Sequence, residues 1–388
     1  MTFVLALGIF AQQRPEKFEF TDVKILPVSP VKDQARSSTC WSFAGLGQLE
    51  SEILRNNPHD IILLSEMWIV RHTYMDKAVK YLRLYGTSEV SGGGNTHDIY
   101  HVVKHHGIVP EEVYRGLNYG TNSHIHAELD AVVSAYMKAV AQKPNKTAIT
   151  SAWKDGLNGI LDAYLGKVPE TFTYKGKEYT PHTFAASIGL NWEDYVSLTS
   201  FTHHPFYTQF AVEIPDNWLW ATSYNIPMED LERVIDYSLE NGYTVNWSSD
   251  VSEPGFQYRK GFAILPVTHV GEMSGSDMAR WAGITPEELR KLNTEINGPL
   301  PERKVSQEER QIAFDNQETT DDHGMLLVGI ARDQDGNKFY KVKNSWGKSN
   351  LYDGYFYVSP AFINYKTINL MVNKNGIPKD LRDKLGIR

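Results

Sequence analysis

Residues 32–45 read KDQARSSTCWSFAG, and Cys40 is the only cysteine among the 388 residues of the chain. After it, apolar side chains recur at helical spacing at Leu46, Leu49 and Ile53. This pattern predicts a helix whose first turn holds Cys40. A single cysteine excludes an internal disulfide and a cysteine-based zinc cluster. The thiol therefore serves either packing or reactivity.

The composition indicates a soluble globular protein of one or two domains. Hydrophobic residues make up 41% of the chain, which is enough to bury one large core or two modest ones. The 39 lysines and arginines are outnumbered by 47 aspartates and glutamates, which gives a net charge of -8. A chain with this charge offers no basic field to a phosphate backbone, so we expect no nucleic acid partner.

The amino end carries a short apolar run, residues 3–11 (FVLALGIFA). The run is too short to span a bilayer, so we expect no stable membrane insertion. It fits the apolar region of a secretory signal with Ala11 near a cleavage point, although the basic start is missing. We therefore expect residues 1–13 to be a signal peptide truncated at its start, and the protein to be periplasmic or secreted. The alternative is a buried first strand in a cytoplasmic protein.

The carboxyl third predicts a β-hairpin that brings two polar side chains together. Residues 324–330 read as an apolar strand, residues 333–337 as a turn and residues 338–343 as the returning strand. Folding about this turn places His323 close to Asn344. An Asn oxygen that accepts from one ring N–H orients the imidazole and leaves its other nitrogen free to act on a thiol or hydroxyl.

A thiol at a helix start has an electrostatic reason to be reactive. Cys40 there feels the positive end of the helix dipole and unpaired backbone N–H groups, which favour the thiolate. Pairing with an imidazolium such as His323 lowers a thiol pKa further, to roughly 3 to 4 in the best-studied pairs. Gln34, in the loop before the helix, can donate to an oxyanion, a contact worth roughly 3 to 4 kcal/mol of barrier. Trp346 can shield the His323–Asn344 hydrogen bond from water.

The identity and order of these motifs resemble those of papain-like cysteine peptidases, from about residue 30 to residue 358. The matching segments are Gln34, 40–44 (CWSFA), 64–66 (LSE), 92–94 (GGG), 106–110 (HGIVP), 323–324 (HG) and 344–347 (NSWG).

The spacing points to one branch of that family. Papain-type enzymes have their His about 130 to 150 residues after the Cys, whereas His323 lies 283 positions after Cys40. With segments 196–204 and 315–323, this insertion resembles the bleomycin hydrolase and aminopeptidase C subfamily. The resemblance implies an α+β, papain-like two-lobed fold: a helical lobe plus an antiparallel β-barrel-like lobe, with a large helical insertion. It also implies a homo-oligomer, a hexamer with its active sites facing an internal chamber, that removes amino-terminal residues from peptides.

The same resemblance divides the chain into parts. Residues 14–373 form the peptidase domain, with insertions around 117–195 and 270–310, and residues 374–388 form a C-terminal tail. Within the first insertion, residues 125–165 have a helical pattern.

The resemblance also implies a role for each matching residue. Peptides are the expected partners, and neither a cofactor nor a metal is expected. The implied roles are nucleophile for Cys40, general base and acid for His323, orienter for Asn344, oxyanion donor for Gln34, substrate binding for Gly93 and Gly94, and shielding for Trp346.

The tail leaves the mode of cleavage open. In the resembled subfamily the terminal carboxylate enters the cleft and blocks long peptides, whereas residues 374–388 lack the proline- and tryptophan-containing arm of that group. We expect an aminopeptidase. The alternative is a cysteine endopeptidase or an oligopeptidase without strict amino-terminal specificity.

Rival readings rest on histidines and on other protein classes. His97, His101 and His105 share one predicted helix face with a spacing typical of zinc ligands, but a zinc peptidase needs Glu where Asp98 stands. We expect a solvated or cleft-lining face there, and a loop rather than a ligand set at residues 203–204.

A binding protein without turnover is disfavoured because all four catalytic positions are present. A transglutaminase-like acyl transferase usually has Asp as the third member of its triad.

Overall fold

The structure is a computed structural model that describes residues 17–144, 148–268 and 284–388. The expected signal segment, residues 1–13, lies outside the described residues, as does part of the expected insertion around 270–310. No helix in the described ranges is long and apolar enough to cross a membrane.

Helices dominate the first half of the chain and strands the second. The helices are α1 (Cys40–Asn56), α2 (Glu66–Arg83), α3 (Thr96–His106), α4 (Ala127–Ala141), α5 (Ala152–Leu165), α6 (Pro181–Ser187), α7 (Met228–Glu240), α8 (Pro286–Thr294), α9 (Gln307–Asp315), α10 (Pro360–Lys366) and α11 (Lys379–Leu385). The strands are β1 (Thr21–Ile25), β2 (Phe172–Tyr174), β3 (Lys177–Tyr179), β4 (Tyr195–Thr199), β5 (Gln209–Ala211), β6 (Thr222–Asn225), β7 (Val245–Ser249), β8 (Phe256–Gln257), β9 (Phe262–Ala263), β10 (His323–Arg332), β11 (Lys338–Lys343), β12 (Tyr355–Val358) and β13 (Thr367–Asn373).

The first six helices pack around one apolar core, and α1 lies at its centre. Almost every side chain of α1 after Cys40 is buried, because the helix is flanked by other helices on one side and by the sheet on the other. Leu46 and Leu49, which carry the helical pattern in the sequence, are 0% exposed. Helices α4 and α5 occupy the segment for which a helical insertion is expected.

The second lobe is built on a large sheet with the strand order β5-β6-β4-β13-β7-β10-β11-β12-β9-β8, and β1 pairs with β10. Most pairs are antiparallel, as the sequence predicts, but β4–β6 and β9–β12 are parallel, so the sheet is mixed. Helices α7, α10 and α11 cover it with apolar side chains, including Leu231, Phe362 and Leu381. The expected α+β fold with a helical lobe and a β lobe is confirmed.

The predicted hairpin is present and sets the position of the site. Strands β10 and β11 pair in antiparallel fashion with Leu326 opposite Lys343, and a bulge interrupts the register between Leu327 and Gly329. On its other side β10 pairs with β7. His323, the first residue of β10, is thus fixed at the end of a strand that has neighbours on both sides.

The C-terminal tail folds onto the sheet lobe. A short 3-10 helix and α11 follow β13, and Ile377 and Leu381 are 0% exposed in the core of this lobe. Arg233 of α7 forms an ion pair with Asp380 of α11. Residues 386–388 line a groove of about 580 Å³ together with side chains of α3, such as Tyr100.

Candidate active site

Cys40 lies at the point where α1 meets β10. The thiol is hydrogen-bonded by the backbone of Gly324, the residue after His323, and by the backbone of Trp41. The two elements approach closely because residue 324 has no side chain: a Cβ there would lie 3.1 Å from Trp41 Cα. The helical lobe and the sheet lobe therefore meet at the sulfur.

His323 is held by Asn344, which follows β11. The ring nitrogen Nε2 of His323 donates to Asn344 Oδ1 over 2.7 Å. The backbone N–H of Ser345 also donates to Oδ1, at 2.8 Å, which identifies this atom as the carboxamide oxygen. Nε2 therefore carries the proton and Nδ1 is available as a base. The structure places the two side chains in contact, as the hairpin predicts.

Trp346 stacks on the imidazole. The ring centroids of His323 and Trp346 are 4.6 Å apart with an interplanar angle of 27°. Tyr258 and Phe256 pack edge-on against the same indole, at 4.9 Å and 6.0 Å. This aromatic group lies against the imidazole, in the position from which Trp346 is expected to shield the hydrogen bond.

Gln34 is bonded to the strand end that carries Asn344. Its Oε1 accepts from Ser345 Oγ at 2.6 Å, and its backbone N–H donates to the Ser345 carbonyl at 2.8 Å. Because Oε1 is engaged as an acceptor, Nε2 is the end of the carboxamide that can donate. The side chain is buried, at 7% exposure, so the structure brings Gln34, Asn344 and His323 into one group.

Gly93 and Gly94 run past the start of α1. The Gly92 carbonyl accepts from Trp41 Nε1 at 2.9 Å. A Cβ at Gly94 would lie 2.6 Å from Trp41 Cε2, and a Cβ at Gly93 would lie 2.4 Å from Asp216 Oδ1. Only glycine fits this close approach, and the segment lies beside the residue that follows Cys40.

The surroundings of Cys40 and His323 oppose the expected thiolate. Burial, together with the charges of Asp321 and Asp216, raises the pKa of the Cys40 thiol to about 12. Burial lowers the pKa of His323 to about 4, and the hydrogen bond to Asn344 opposes that shift only in part. Backbone hydrogen bonds favour the thiolate, but desolvation of the charged form outweighs them. Both shifts favour the neutral thiol and the neutral imidazole over the ion pair.

Two carboxylates near the thiol were not found by sequence reasoning. Asp321 precedes His323 by two residues, and Asp216 lies in the loop between β5 and β6; both act electrostatically on Cys40. Proximity to His323 was the available signal for Asp321. Asp216 belongs to no motif, since its loop reaches the site only through the tertiary fold.

The histidines of α3 do not come together as a metal site. His97 Nδ1 bonds to Asn95, while His101 Nε2 pairs with Asp76 of α2 at 3.1 Å. His105 packs against the ring of His101. All three side chains line the groove that residues 386–388 also line, in keeping with the expected solvated or cleft-lining face.

Residues 203–204, expected to be a loop, do lie in a loop. However, across residues 17–144, 148–268 and 284–388, the group His203, His204 and Glu213 is the one set of possible metal ligands whose atoms lie within 4.8 Å of one another. His203 and His204 each contact Glu213, at 3.0 Å and 3.3 Å, so hydrogen bonds between surface side chains account for this group.

Comparison with known protein families identifies the family of this chain. A profile of the Peptidase C1-like family matches residues 11–278 and 259–387. The chain belongs to this family. The papain-like resemblance of the sequence motifs is confirmed by this match.

Relatives in the Peptidase C1-like family match over most of the chain. Aminopeptidase G of Lactobacillus delbrueckii subsp. lactis is 23% identical, covering 93% of this chain and 84% of its own length. Aminopeptidase C of Lactococcus lactis subsp. cremoris is 22% identical, covering 90% and 82%. Cysteine proteinase 1, mitochondrial, of Saccharomyces cerevisiae is 23% identical, covering 96% and 80%.

A solved structure supports the fold assignment. PepW from Lactobacillus rhamnosis aligns with a TM-score of 0.69 at 20% identity, covering 94% of this chain and 84% of that one. The two chains therefore share their fold over nearly the whole length of this Peptidase C1-like protein.

Proposed function

We propose that this chain is a cysteine aminopeptidase that releases amino-terminal residues from peptides. Membership of the Peptidase C1-like family and similarity to aminopeptidases G and C support this activity. The observation that carries it is the contact of Cys40 with Gly324, directly beside the hydrogen bond from His323 to Asn344.

The first half of the reaction starts from a neutral pair. Cys40 Sγ attacks the carbonyl carbon of the first peptide bond while its proton passes to His323 Nδ1. Asn344 keeps its hydrogen bond to Nε2 and stabilises the imidazolium that forms. The oxyanion accepts from the Gln34 carboxamide and the Cys40 backbone N–H. His323 then protonates the leaving amine, the C–N bond breaks, and an acyl thioester on Cys40 remains.

The second half restores the enzyme. His323 Nδ1 takes a proton from water, and the hydroxyl oxygen attacks the thioester carbonyl. The C–S bond breaks, the released amino acid leaves with its new carboxyl group, and the proton on His323 returns to the sulfur of Cys40. No cofactor takes part in any of these steps.

A matched pair of peptides tests the aminopeptidase proposal. The two substrates have the same sequence, and one of them carries an N-acetyl group. We expect hydrolysis of the free-amine peptide with release of its first residue, and a kcat/KM for the acetylated peptide at least about tenfold lower, because the acetylated peptide has lost its α-ammonium charge. Product masses identify the bond that is cut.

The alternative makes the opposite prediction for the same pair. An endopeptidase or general oligopeptidase hydrolyses both peptides at equal rates and cuts internal bonds. Equal rates would therefore refute an aminopeptidase and favour that alternative.

We also propose, from the subfamily resemblance, a homo-oligomer, with a hexamer as the expected state. Light scattering on the eluted protein should give a mass six times that of the chain. A monomer at micromolar concentration would contradict this expectation.

The apolar run at residues 3–11 supports an extracytoplasmic location. We expect the native protein in the periplasmic or secreted fraction, with its amino end cut near Ala11. Recovery in the cytoplasm with an intact amino end would favour the cytoplasmic alternative.

A further inference from the structure

The loop between β5 and β6, residues 212–221, reaches from the sheet lobe to the helical lobe. Trp218 Nε1 donates to Asp98 Oδ2 of α3 over 2.7 Å, which anchors the loop on the opposite lobe. Asn217 Nδ2 donates to one carbonyl at each end of the loop, both at 3.0 Å, which closes its base. Asp216 directly precedes these two anchored residues and is therefore held in one place.

That place is directly over Gly93. A Cβ on Gly93 would lie 2.4 Å from Asp216 Oδ1 and 2.8 Å from Oδ2. The backbone of Gly94 hydrogen-bonds to the same carboxylate. Gly93 and Gly94 are the residues expected to bind the substrate, so the loop and its carboxylate cover one end of that binding segment.

Asp321, two residues before β10, acts electrostatically on the same region. Its charge acts on Cys40 and on Asp216. Its side chain is partly buried and makes no hydrogen bond or ion pair with the residues that the structure describes. Its pKa is raised well above the usual value, first by burial and then by the charges of Asp216, Asp322 and Asp98.

Asp98 is a third carboxylate in this region. It is fully buried, and its hydrogen bonding is incomplete. Asp98 is 0% exposed, and its Oδ1 has no hydrogen-bond partner within the described part of the chain. Its Oδ2 lies beside Gly94, at 2.6 Å from where a Cβ of that residue would be. Burial raises the pKa of Asp98 to about 7, and the charge of Lys77 opposes this shift.

The charged groups around Asp216 are more negative than positive. Lys77 of α2 is the cation that acts on it, and Glu89 adds a further negative charge. The Nζ of Lys77 donates to the carbonyls of Gly93 and Ser91, which fixes the ammonium group on the backbone. Lys77 therefore offsets part of the negative charge around Asp216.

An aminopeptidase substrate carries a cation, its α-ammonium group, close to the carbonyl carbon that is attacked. Its α-nitrogen is separated from the carbonyl carbon by one Cα, a distance of about 2.5 Å. When Cys40 attacks that carbon, the α-ammonium lies within a few bond lengths of the sulfur. Carboxylates whose charge reaches the sulfur must therefore also act on the α-ammonium.

We propose that Asp216, assisted by Asp321, binds the α-ammonium group of the peptide and so selects substrates with a free amino terminus. This inference rests on the proposed function. The loop that carries Asp216 also covers Gly93. It therefore limits how many residues a peptide can have on the amino-terminal side of the bond that is cut.

The arrangement couples binding to reactivity. The carboxylates of Asp321 and Asp216 raise the pKa of the Cys40 thiol while the site is empty. An α-ammonium beside them cancels this effect, because its charge has the opposite sign. A substrate with a free amine therefore promotes transfer of the proton from the thiol to His323.

The test uses the full chain with Asp216→Asn, Asp321→Asn and the double variant. The matched control is Asp155→Asn, which removes one exposed carboxylate on α5. For Asp216→Asn we expect kcat/KM on the free-amine peptide to fall about tenfold or more through KM, because a charge-assisted contact is lost. Turnover of the N-acetylated peptide should stay the same or rise, and Asp155→Asn should match the wild type.

A second readout separates this role from a structural one. The rate at which iodoacetamide alkylates Cys40 in the absence of substrate should rise in Asp216→Asn, since a negative charge that disfavours the thiolate is gone. In that reaction the sulfur displaces iodide and loses its proton to solvent. Loss of free-amine turnover together with faster alkylation supports the proposal, whereas a merely loosened fold lowers turnover of both peptides.

Each remaining outcome is decisive. An unchanged ratio of free-amine to acetylated hydrolysis in the double variant overturns the inference while leaving the aminopeptidase proposal intact. Hydrolysis of neither peptide by the wild type overturns both. If Asp216→Asn does not fold, Asp321→Asn carries the test, with a smaller fall in the same ratio expected and an unchanged ratio contradicting it.

Discussion

Gln34 reaches the site from the loop before α1, and Ser345 holds it there by one side-chain and one backbone hydrogen bond. Ser345 also donates to Asn344 Oδ1. One residue thus orients two side chains of the proposed catalytic group. The position of the Gln34 carboxamide is fixed before substrate binds, which is the condition for effective oxyanion stabilisation.

Gln34→Ala should lower kcat by about a hundredfold to a thousandfold with little change in KM, because one oxyanion donor is worth about 3 to 4 kcal/mol in the transition state. Ser345→Ala is the matched control, since it releases the Gln34 side chain without removing it, and a loss of only several-fold is expected. Steady-state kinetics on the free-amine peptide measure both. A Gln34→Ala variant that keeps kcat within a few-fold of wild type would contradict the oxyanion role.

The pKa of the Cys40 thiol could not be predicted from the sequence. A helix start was predictable from the spacing of Leu46 and Leu49, and it favours a thiolate. The opposing effect is desolvation, which depends on how completely β10 and the residues around Gly324 cover the sulfur. Burial by segments distant in the chain leaves no local pattern in the sequence.

Helix α1 passes between the two lobes, and its glycines allow this close packing. A Cβ on Gly45 would lie 2.0 Å from Ile99 Cδ1 of α3 and 3.3 Å from Asn246 Nδ2 of β7. A Cβ on Gly47 would lie 3.5 Å from Leu326 Cδ2, which is an ordinary contact. The two positions share a helix but differ in the space around them.

Gly45→Ala should therefore lower the free energy of unfolding by about 1 to 3 kcal/mol, because the added methyl group overpacks the contact with α3. Gly47→Ala should be neutral or more stable by up to about 1 kcal/mol, since alanine favours helix. Urea unfolding of the two variants and the wild type measures the difference. Equal stability of the two variants would show that α1 and α3 are not packed as described.

The hairpin of β10 and β11 is the element that sequence reasoning placed best. Its strands and turn are contiguous, so the pattern alone brings His323 and Asn344 together. Loop 212–221 is the opposite case. It has no motif, and Asp216 reaches Gly93 only because β5 and β6 lie at one edge of a sheet whose order follows from the whole chain.

The stability of the whole molecule depends on pH, and one histidine makes a contribution to this dependence that can be measured separately. His72 of α2 packs between the rings of Trp68 and His106. Burial, followed by the charges of His106 and Arg71, lowers the pKa of His72 to about 3. The unfolded chain therefore binds a proton at this residue below its ordinary pKa of 6.5, where the folded chain does not.

His72→Phe keeps a ring at this position and removes the titration. Because the folded-state pKa is lowered, the wild type loses stability as pH falls from 6.5 towards 3, by about 1.4 kcal/mol per pH unit from this group. Relative to wild type, the variant should gain about 2 kcal/mol between pH 7 and pH 5. Chemical unfolding at both pH values measures the gain. A constant difference between the two proteins would contradict the lowered pKa.

The two-lobed architecture explains why so much of the fold was predictable while part of the site was not. Apolar periodicity and turns define α1 and the β10–β11 hairpin within short windows, so each lobe can be anticipated. The contacts between lobes, such as Trp218 with Asp98, join residues more than a hundred positions apart. They depend on the packing of the finished fold.

The most direct test of the central claim uses the single cysteine of the chain. Graded alkylation with iodoacetamide, followed by intact-mass measurement, gives the fraction of Cys40 that is modified, and the free-amine peptide gives the activity of the same samples. We predict that activity falls in proportion to this fraction and reaches zero at one adduct per chain. Activity that persists in fully alkylated protein would contradict a catalytic role for Cys40.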